Sequence, residues 1–268
     1  MKIIGEKING TRKLVGKAIA ERNADFIQNL AKKQVEGGAY WLDINAGTHP
    51  DKEPDDLIWL IGLVQEVVDV PLCLDSANPV ALRIAMKEVK KNPMINSISG
   101  ETGRLSGILP IVVENGTEVI ALCLDDKGIP STKEARLDVI RKVFEETRKA
   151  GVPDEKVYVD PLAMTIATNT DAGLIIFDTM RAIHAEFPKS HISCGLSNVS
   201  FGLPVRALIN RAFMTYALEA GMDTALIDPN DRELQAAIVA SDLLLGRDKH
   251  CLKYTRAFRA GLLEPKAS

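Results

Sequence analysis

Cysteine, histidine and net charge are all scarce in this chain of 268 residues. The four cysteines, Cys73, Cys123, Cys194 and Cys251, include no C-x-x-C pair. Three of them lie in apolar runs that read as strands, so the expectation is buried free thiols in a reducing cytoplasm rather than disulfides. The four histidines, His49, His184, His191 and His250, form no H-x-x-x-H or H-x-x-E arrangement, and spacing therefore implies no metal site. With 33 basic and 36 acidic residues the formal charge is −3, which argues against a nucleic-acid surface. No apolar run approaches the length of a membrane span, and "MKIIGEKING" lacks the apolar core of a signal peptide. The absence of G-x-S-x-G removes the nucleophile elbow of a serine hydrolase. A cytoplasmic protein with neither nucleic acid nor membrane as partner is expected.

Hydrophobic residues make up 46% of the chain, ample material for a core. Short apolar runs recur: "KIIGE" (2–6), "YWLDINAG" (40–47), "VPLCLDS" (70–76), "PMINSIS" (93–99), "TEVIALCL" (117–124), "KVYVDP" (156–161), "HISCGLSN" (191–198) and "DTALIDP" (223–229). Between them lie segments of helical period, among them 24–39, 54–68, 133–151 and 204–221, and Asn78-Pro79 suits an N-cap and first turn. The segment 240–263 reads as an eighth helix with one extra. Strands alternating with helices imply parallel pairing, and eight such units are the content of an α/β fold of the (β/α)8 TIM-barrel type. An open doubly wound sheet is the rival architecture. No low-complexity linker divides residues 1–268, so one domain is expected.

In such a barrel the C-terminal strand ends face the active site. Here they carry Glu6, Asn9, Asp43, Asn45, Asp75, Ser76, Asn96, Ser97, Asp160, Ser197, Asn198 and Asp228, while lysine and arginine look nearly absent. That composition disfavours a Schiff-base lysine or a sugar-phosphate site. It suits a ring with several N–H donors, such as a pterin or purine: a carboxylate accepts two parallel hydrogen bonds, and an asparagine meets an adjacent N–H and C=O together. Structural roles compete, with Asp75 a possible helix cap and Asp228, before Pro229, a possible turn residue.

The stretches "GEKING" (5–10), "EGGAYWLDINAG" (36–47), "LCLDS" (72–76), "MINSIS" (94–99), "YVDPL" (158–162), "GLSNVSFGLPVRALINRAF" (195–213) and "ALIDP" (225–229) resemble, in order, the pterin-binding methyltransferases that use methyltetrahydrofolate and a corrinoid protein. The resemblance implies a TIM barrel whose mouth binds the pterin, with Asp75, Asn96 and Asp160 on its pyrimidine edge and Asn198 near the methyl-bearing N5. Asp43 and Ser197 join them as expected contacts. It also implies a homodimer. The expected substrates are tetrahydrofolate or 5-methyltetrahydrofolate and a corrinoid (cobalamin), the latter free or on a partner corrinoid protein. "DKHCLK" (248–253) begins like a cobalt-ligating D-x-H-x-x-G but has Lys253 in place of the glycine.

A dihydropteroate synthase-like enzyme and a non-catalytic pterin-binding protein are the alternatives. The chain "GLSNVSFG" also resembles the folate module of cobalamin-dependent methionine synthase. Arg206 falls in the expected first turn of a helix, where the macrodipole disfavours a cation, with no acid between Gly195 and Leu218. The carboxylates of a folate's glutamate tail would complement it.

Overall fold

The computed structural model describes residues 1–263. Eight strands run in chain order: β1 (Lys2–Asn9), β2 (Trp41–Asn45), β3 (Leu72–Asp75), β4 (Met94–Gly100), β5 (Glu118–Asp125), β6 (Val157–Asp160), β7 (His191–Ile192) and β8 (Thr224–Ile227). From β1 to β7 each strand pairs in parallel with the next, and β1 pairs with β8 as well as β2. Sequential pairing from β1 to β7, with the last strand joined to the first and bridged to the seventh, identifies a barrel and excludes the doubly wound sheet, in which strand order reverses at a crossover and the two edge strands stay apart. The seam between β7 and β8 is the thinnest part. It is bridged by the Leu226 amide donating to the Cys194 carbonyl at 3.0 Å and the Asp223 amide donating to the Ile192 carbonyl at 3.2 Å.

The helices are α1 (Lys13–Ala20), α2 (Ala24–Glu36), α3 (Glu53–Val67), α4 (Pro79–Ala85), α5 (Thr102–Asn115), α6 (Lys133–Lys149), α7 (Ala172–Glu186), α8 (Arg206–Glu219), α9 (Arg232–Leu244) and α10 (Leu252–Arg259). They form because apolar residues recur at helical spacing: α6 buries Leu137, Ile140, Phe144 and Thr147, three and four residues apart. Asn78 caps α4 as its position suggests, its side chain accepting from the Val80 amide at 3.0 Å, with Pro79 in the first turn.

Two apolar layers result. One lies between strands and helices, and a smaller one fills the barrel: Ile4, Trp41, Cys73, Met94, Ile120 and Tyr158. Successive strand residues alternate faces, so the residue two places beyond each of these points the same way. Those residues are Glu6, Asp43, Asp75, Asn96, Leu122 and Asp160. The barrel interior thus changes from apolar to polar in one step toward the C-terminal ends.

Two expectations need correction. The run 191–198 is not one strand: β7 stops at Ile192, and Leu196–Ser200 form a 3-10 turn that carries Ser197 and Asn198. Helix α8 begins at Arg206, not at Pro204, because Val205 takes a left-handed conformation (φ 49°) that no helix continues through. Cys73, Cys123 and Cys194 are buried free thiols; Cys251 is exposed.

Candidate active site at the barrel mouth

The polar layer forms two linked groups. On one side, Asn96 donates to Asp43 at 3.2 Å and Asn45 donates to Asp75 at 2.7 Å. Asp75 and Asn96 are register partners on β3 and β4. Asp75 also lines a cavity of about 370 Å³ with Asn45, Thr48, Ser76, Asn78 and Arg104. Glycine permits the neighbouring loops to meet: a Cβ on Gly10 would lie 1.8 Å from the Ala46 carbonyl oxygen, which draws the tops of β1 and β2 together.

On the other side stands Asp160. Its carboxylate accepts from the Leu162 amide at 2.7 Å and from the Gly195 amide at 3.3 Å, tying the end of β6 to the turn that follows β7. Asn198 is exposed on that turn, and its carboxamide lies 3.3 Å from where a Cβ on Gly195 would stand. The carboxamide has no hydrogen-bond partner among the described residues, so both its acceptor and its donors are free. Ser197 is half-buried beside it.

Burial dominates the electrostatics. Asp43 is buried next to Asp75, and desolvation first, then the neighbouring charge, lift its carboxyl well above the usual range. Burial raises Asp75 as well, opposed by the hydrogen bond from Asn45 and by the Arg104 charge. Asp160 is pushed up to about 6 by burial, against the pull of its two backbone donors and of Arg136. Three carboxylates short of donors form a surface that an N–H-rich ring would satisfy.

The structure shows cations that reading strand ends alone overlooked. Lys7, on a β1 that extends past the expected residue 6, pairs with Asp228 at 2.7 Å; Arg12 pairs with Glu6 at 2.7 Å. Arg104, on α5, pairs with Glu101 at 3.3 Å and donates to Ser97 at 3.2 Å. Asp228 also accepts from the Asn230 amide at 3.0 Å, the turn role considered for it, whereas Asp75 caps no helix. A helical step from the strand end is the signal that could have found Arg104, whereas Lys7 lies on β1 itself and Arg12 just ahead of α1.

Arg206 is engaged from within the protein. It donates to the Ser197 carbonyl and, at 3.0 Å, to the Ser200 hydroxyl, which in turn bonds Asn210 at 2.7 Å. These contacts hold the 3-10 turn, and they provide the oxygen atoms that offset the helix N-terminus without an external carboxylate. His250 lies on the 3-10 turn Lys249–Cys251 ahead of α10. No group of three or more His, Cys, Asp or Glu among the described residues is arranged to hold a metal ion, and no helix there is long and apolar enough to cross a membrane.

Comparison with known proteins agrees with this geometry. Residues 6–228 match the family described as pterin binding enzyme. The chain is 40% identical to a methylcorrinoid:tetrahydrofolate methyltransferase of Eubacterium limosum over 267 residues, 99% of this chain and 98% of that one. It is 29% identical to a methionine synthase of Mycobacterium leprae over 84% of this chain but only 20% of that protein. Among solved structures, a dihydropteroate synthase of Coxiella burnetii in complex with pteroic acid superposes with a TM-score of 0.66 at 18% identity, covering 83% of this chain and 87% of that one. A Yersinia pestis dihydropteroate synthase gives 0.67 at 16% identity, over 91% and 93%. At such identity the two structures share the fold with this chain.

Proposed function

The chain belongs to the pterin-binding enzyme family, and from that premise we propose that it moves a methyl group between N5 of tetrahydrofolate and the cobalt of a corrinoid. The observation that carries the reading is the pairing, in one mouth, of a buried carboxylate ring with an exposed and unengaged Asn198, within a chain similar over its whole length to a methylcorrinoid:tetrahydrofolate methyltransferase.

In this reading Asp75, Asn96 and Asp160 accept from and donate to the pyrimidine edge of the pterin, and Asp43 supports Asn96 by accepting from its carboxamide. When cobalt(I) attacks the methyl carbon in line, the carbon–nitrogen electron pair returns to N5, which must take up a proton or a stronger hydrogen bond. In the reverse direction N5 attacks the methyl of methyl-cobalt(III). Asn198 can serve both because it accepts and donates without changing charge. A contact that tightens as charge develops at N5 favours the transition state over the ground state.

The corrinoid arrives on a separate protein. Support comes from the rim beside Asn198, where Phe201 and Val205 expose 68% and 72% of their surface. This rim is stitched to the loop after β6 by Thr165 donating to the Phe201 carbonyl at 2.6 Å. Large apolar side chains held out in this way suit a protein partner more than a free small molecule. Phe201→Ser is expected to raise KM for a protein-bound corrinoid and to leave free cobalamin unaffected. The free thiols fit a reducing cytoplasm, and sedimentation tests the implied homodimer.

The activity is tested by mixing the purified chain with methyltetrahydrofolate and reduced cobalamin and following the cobalt absorbance. Catalysed loss of the cobalt(I) signal is expected. Tight folate binding with an unchanged cobalt spectrum would make the chain a binding protein, and condensation of p-aminobenzoate with a pterin pyrophosphate would make it a synthase.

A further inference from the structure

Arg136 is a buried cation in two costly places at once. It lies in the first turn of α6, where the helix macrodipole opposes positive charge, and it is only 3% exposed. Among the described residues no carboxylate oxygen lies within ion-pair distance of it. Its bonds go instead to backbone carbonyls: Nε to Pro130 at 2.9 Å, Nη1 to Pro161 at 2.8 Å and to Leu162 at 3.2 Å.

The two downstream carbonyls belong to the turn that leaves β6. Leu162 there takes a left-handed backbone (φ 64°), which a leucine adopts only when its surroundings impose it. The Leu162 amide is the donor that holds Asp160, at 2.7 Å. Arg136 therefore grips the carbonyl of the residue whose amide grips the carboxylate.

We propose that Arg136 is a positioning residue for Asp160: from outside the barrel it keeps the Pro161–Leu162 turn in the one conformation that aims the carboxylate into the mouth. The inference rests on the reading of Asp160 as a pterin contact. A guanidinium suits the task because its rigid fork sets Nε on the Pro130 carbonyl while Nη1 reaches the Pro161 and Leu162 carbonyls, two separate turns that the single nitrogen of an ammonium cannot hold in the same geometry. The other titratable groups facing Asp160 are Cys123 from β5 and Cys194 just past β7, both raised by burial and so neutral. Arg136 is the charged group facing it, and its field favours the ionised form.

The test is calorimetric titration with methyltetrahydrofolate between pH 5 and 8 on the full chain, with thermal melting alongside. Arg136→Met is expected to weaken binding about tenfold at pH 7 and to move the midpoint of its pH dependence upward by about one unit, since a lost charge and a loosened turn both favour the protonated acid. Arg136→Lys keeps the charge and loses the fork, so it is expected to hold the midpoint and weaken binding by about threefold. A folded Arg136→Met with parental affinity and midpoint overturns the inference. If that variant does not fold, parental affinity in Arg136→Lys does the same. Asp160→Asn separates the two claims: unchanged binding in that variant brings down the pocket reading and this inference together. A midpoint abolished by Asp160→Asn yet unmoved by Arg136→Met brings down the inference alone.

Discussion

Asp160 is nine-tenths buried, and its carboxyl titrates near 6 because water that would solvate the anion is excluded. Bound donors from a pterin would stabilise the ionised form, so folate affinity is expected to fall by up to about tenfold per unit as pH drops below 6, a dependence that Asp160→Asn should flatten. Calorimetry at stepped pH checks it. The same shift acts on stability with the opposite sense. The folded value exceeds the unfolded one, so the contribution of Asp160 is fully present below about 4 and is lost as pH rises through 6. Relative to Asp160→Asn, the parent should lose about 3 kcal/mol between pH 4 and 7, measurable by urea unfolding. Asn198 has the reverse character, exposed and uncharged, and its replacement should affect rate more than binding. Asn198→Ala is expected to slow single-turnover methyl transfer by about 10- to 1,000-fold, with a much smaller change in folate affinity. A rate near the parent's at saturating folate would remove Asn198 from the chemistry.

At the scale of elements, the turn Leu196–Ser200 and the start of α8 behave as one unit, because Arg206 bridges them through Ser197 and Ser200. Reading Arg206 as a clamp for a folate tail predicts that Arg206→Ala harms tailed folates more than a pterin without the tail. The observed contacts predict instead equal losses for both, together with a lower kcat from a loosened Asn198. Paired titrations with the two ligands decide between them. At the start of helix α4, Asn78→Ala removes a cap and should cost about 1 kcal/mol of stability, measurable by urea unfolding.

Across the whole molecule, the barrel interior is divided between an apolar lower part and a polar upper part, and the two depend on each other. Trp41 fills the lower part at 1% exposure, edge-on to Tyr158 at 5.8 Å, and Lys2 closes the bottom from 4.7 Å over the Trp41 ring. Trp41→Ala should therefore destabilise by about 3–5 kcal/mol in chemical unfolding, and Asp43, two residues further along β2, should lose its fixed position. The polar layer is stable only because the apolar layer beneath it excludes water and holds the strands in register.

The eightfold alternation was legible from the chain alone, because strand and helix leave distinct periodicities that need no partner to be visible. So were the residue types at the strand tops, the helix cap at Asn78 and the buried thiols. The tertiary structure alone decided where β7 stops, since closing the seam with β8 through the Gly195–Leu226 bridge leaves Leu196 to Ser200 outside the ladder. It also decided what Arg104, Arg136 and Arg206 touch. Those side chains act at carbonyls and hydroxyls outside their own helices, and a contact whose partner is set by how the chain folds back leaves no periodic pattern in either stretch. Strand spacing determined which carboxylates share one face; the burial that raises them, and the turn that leaves Asn198 free, exist only once the barrel closes around them.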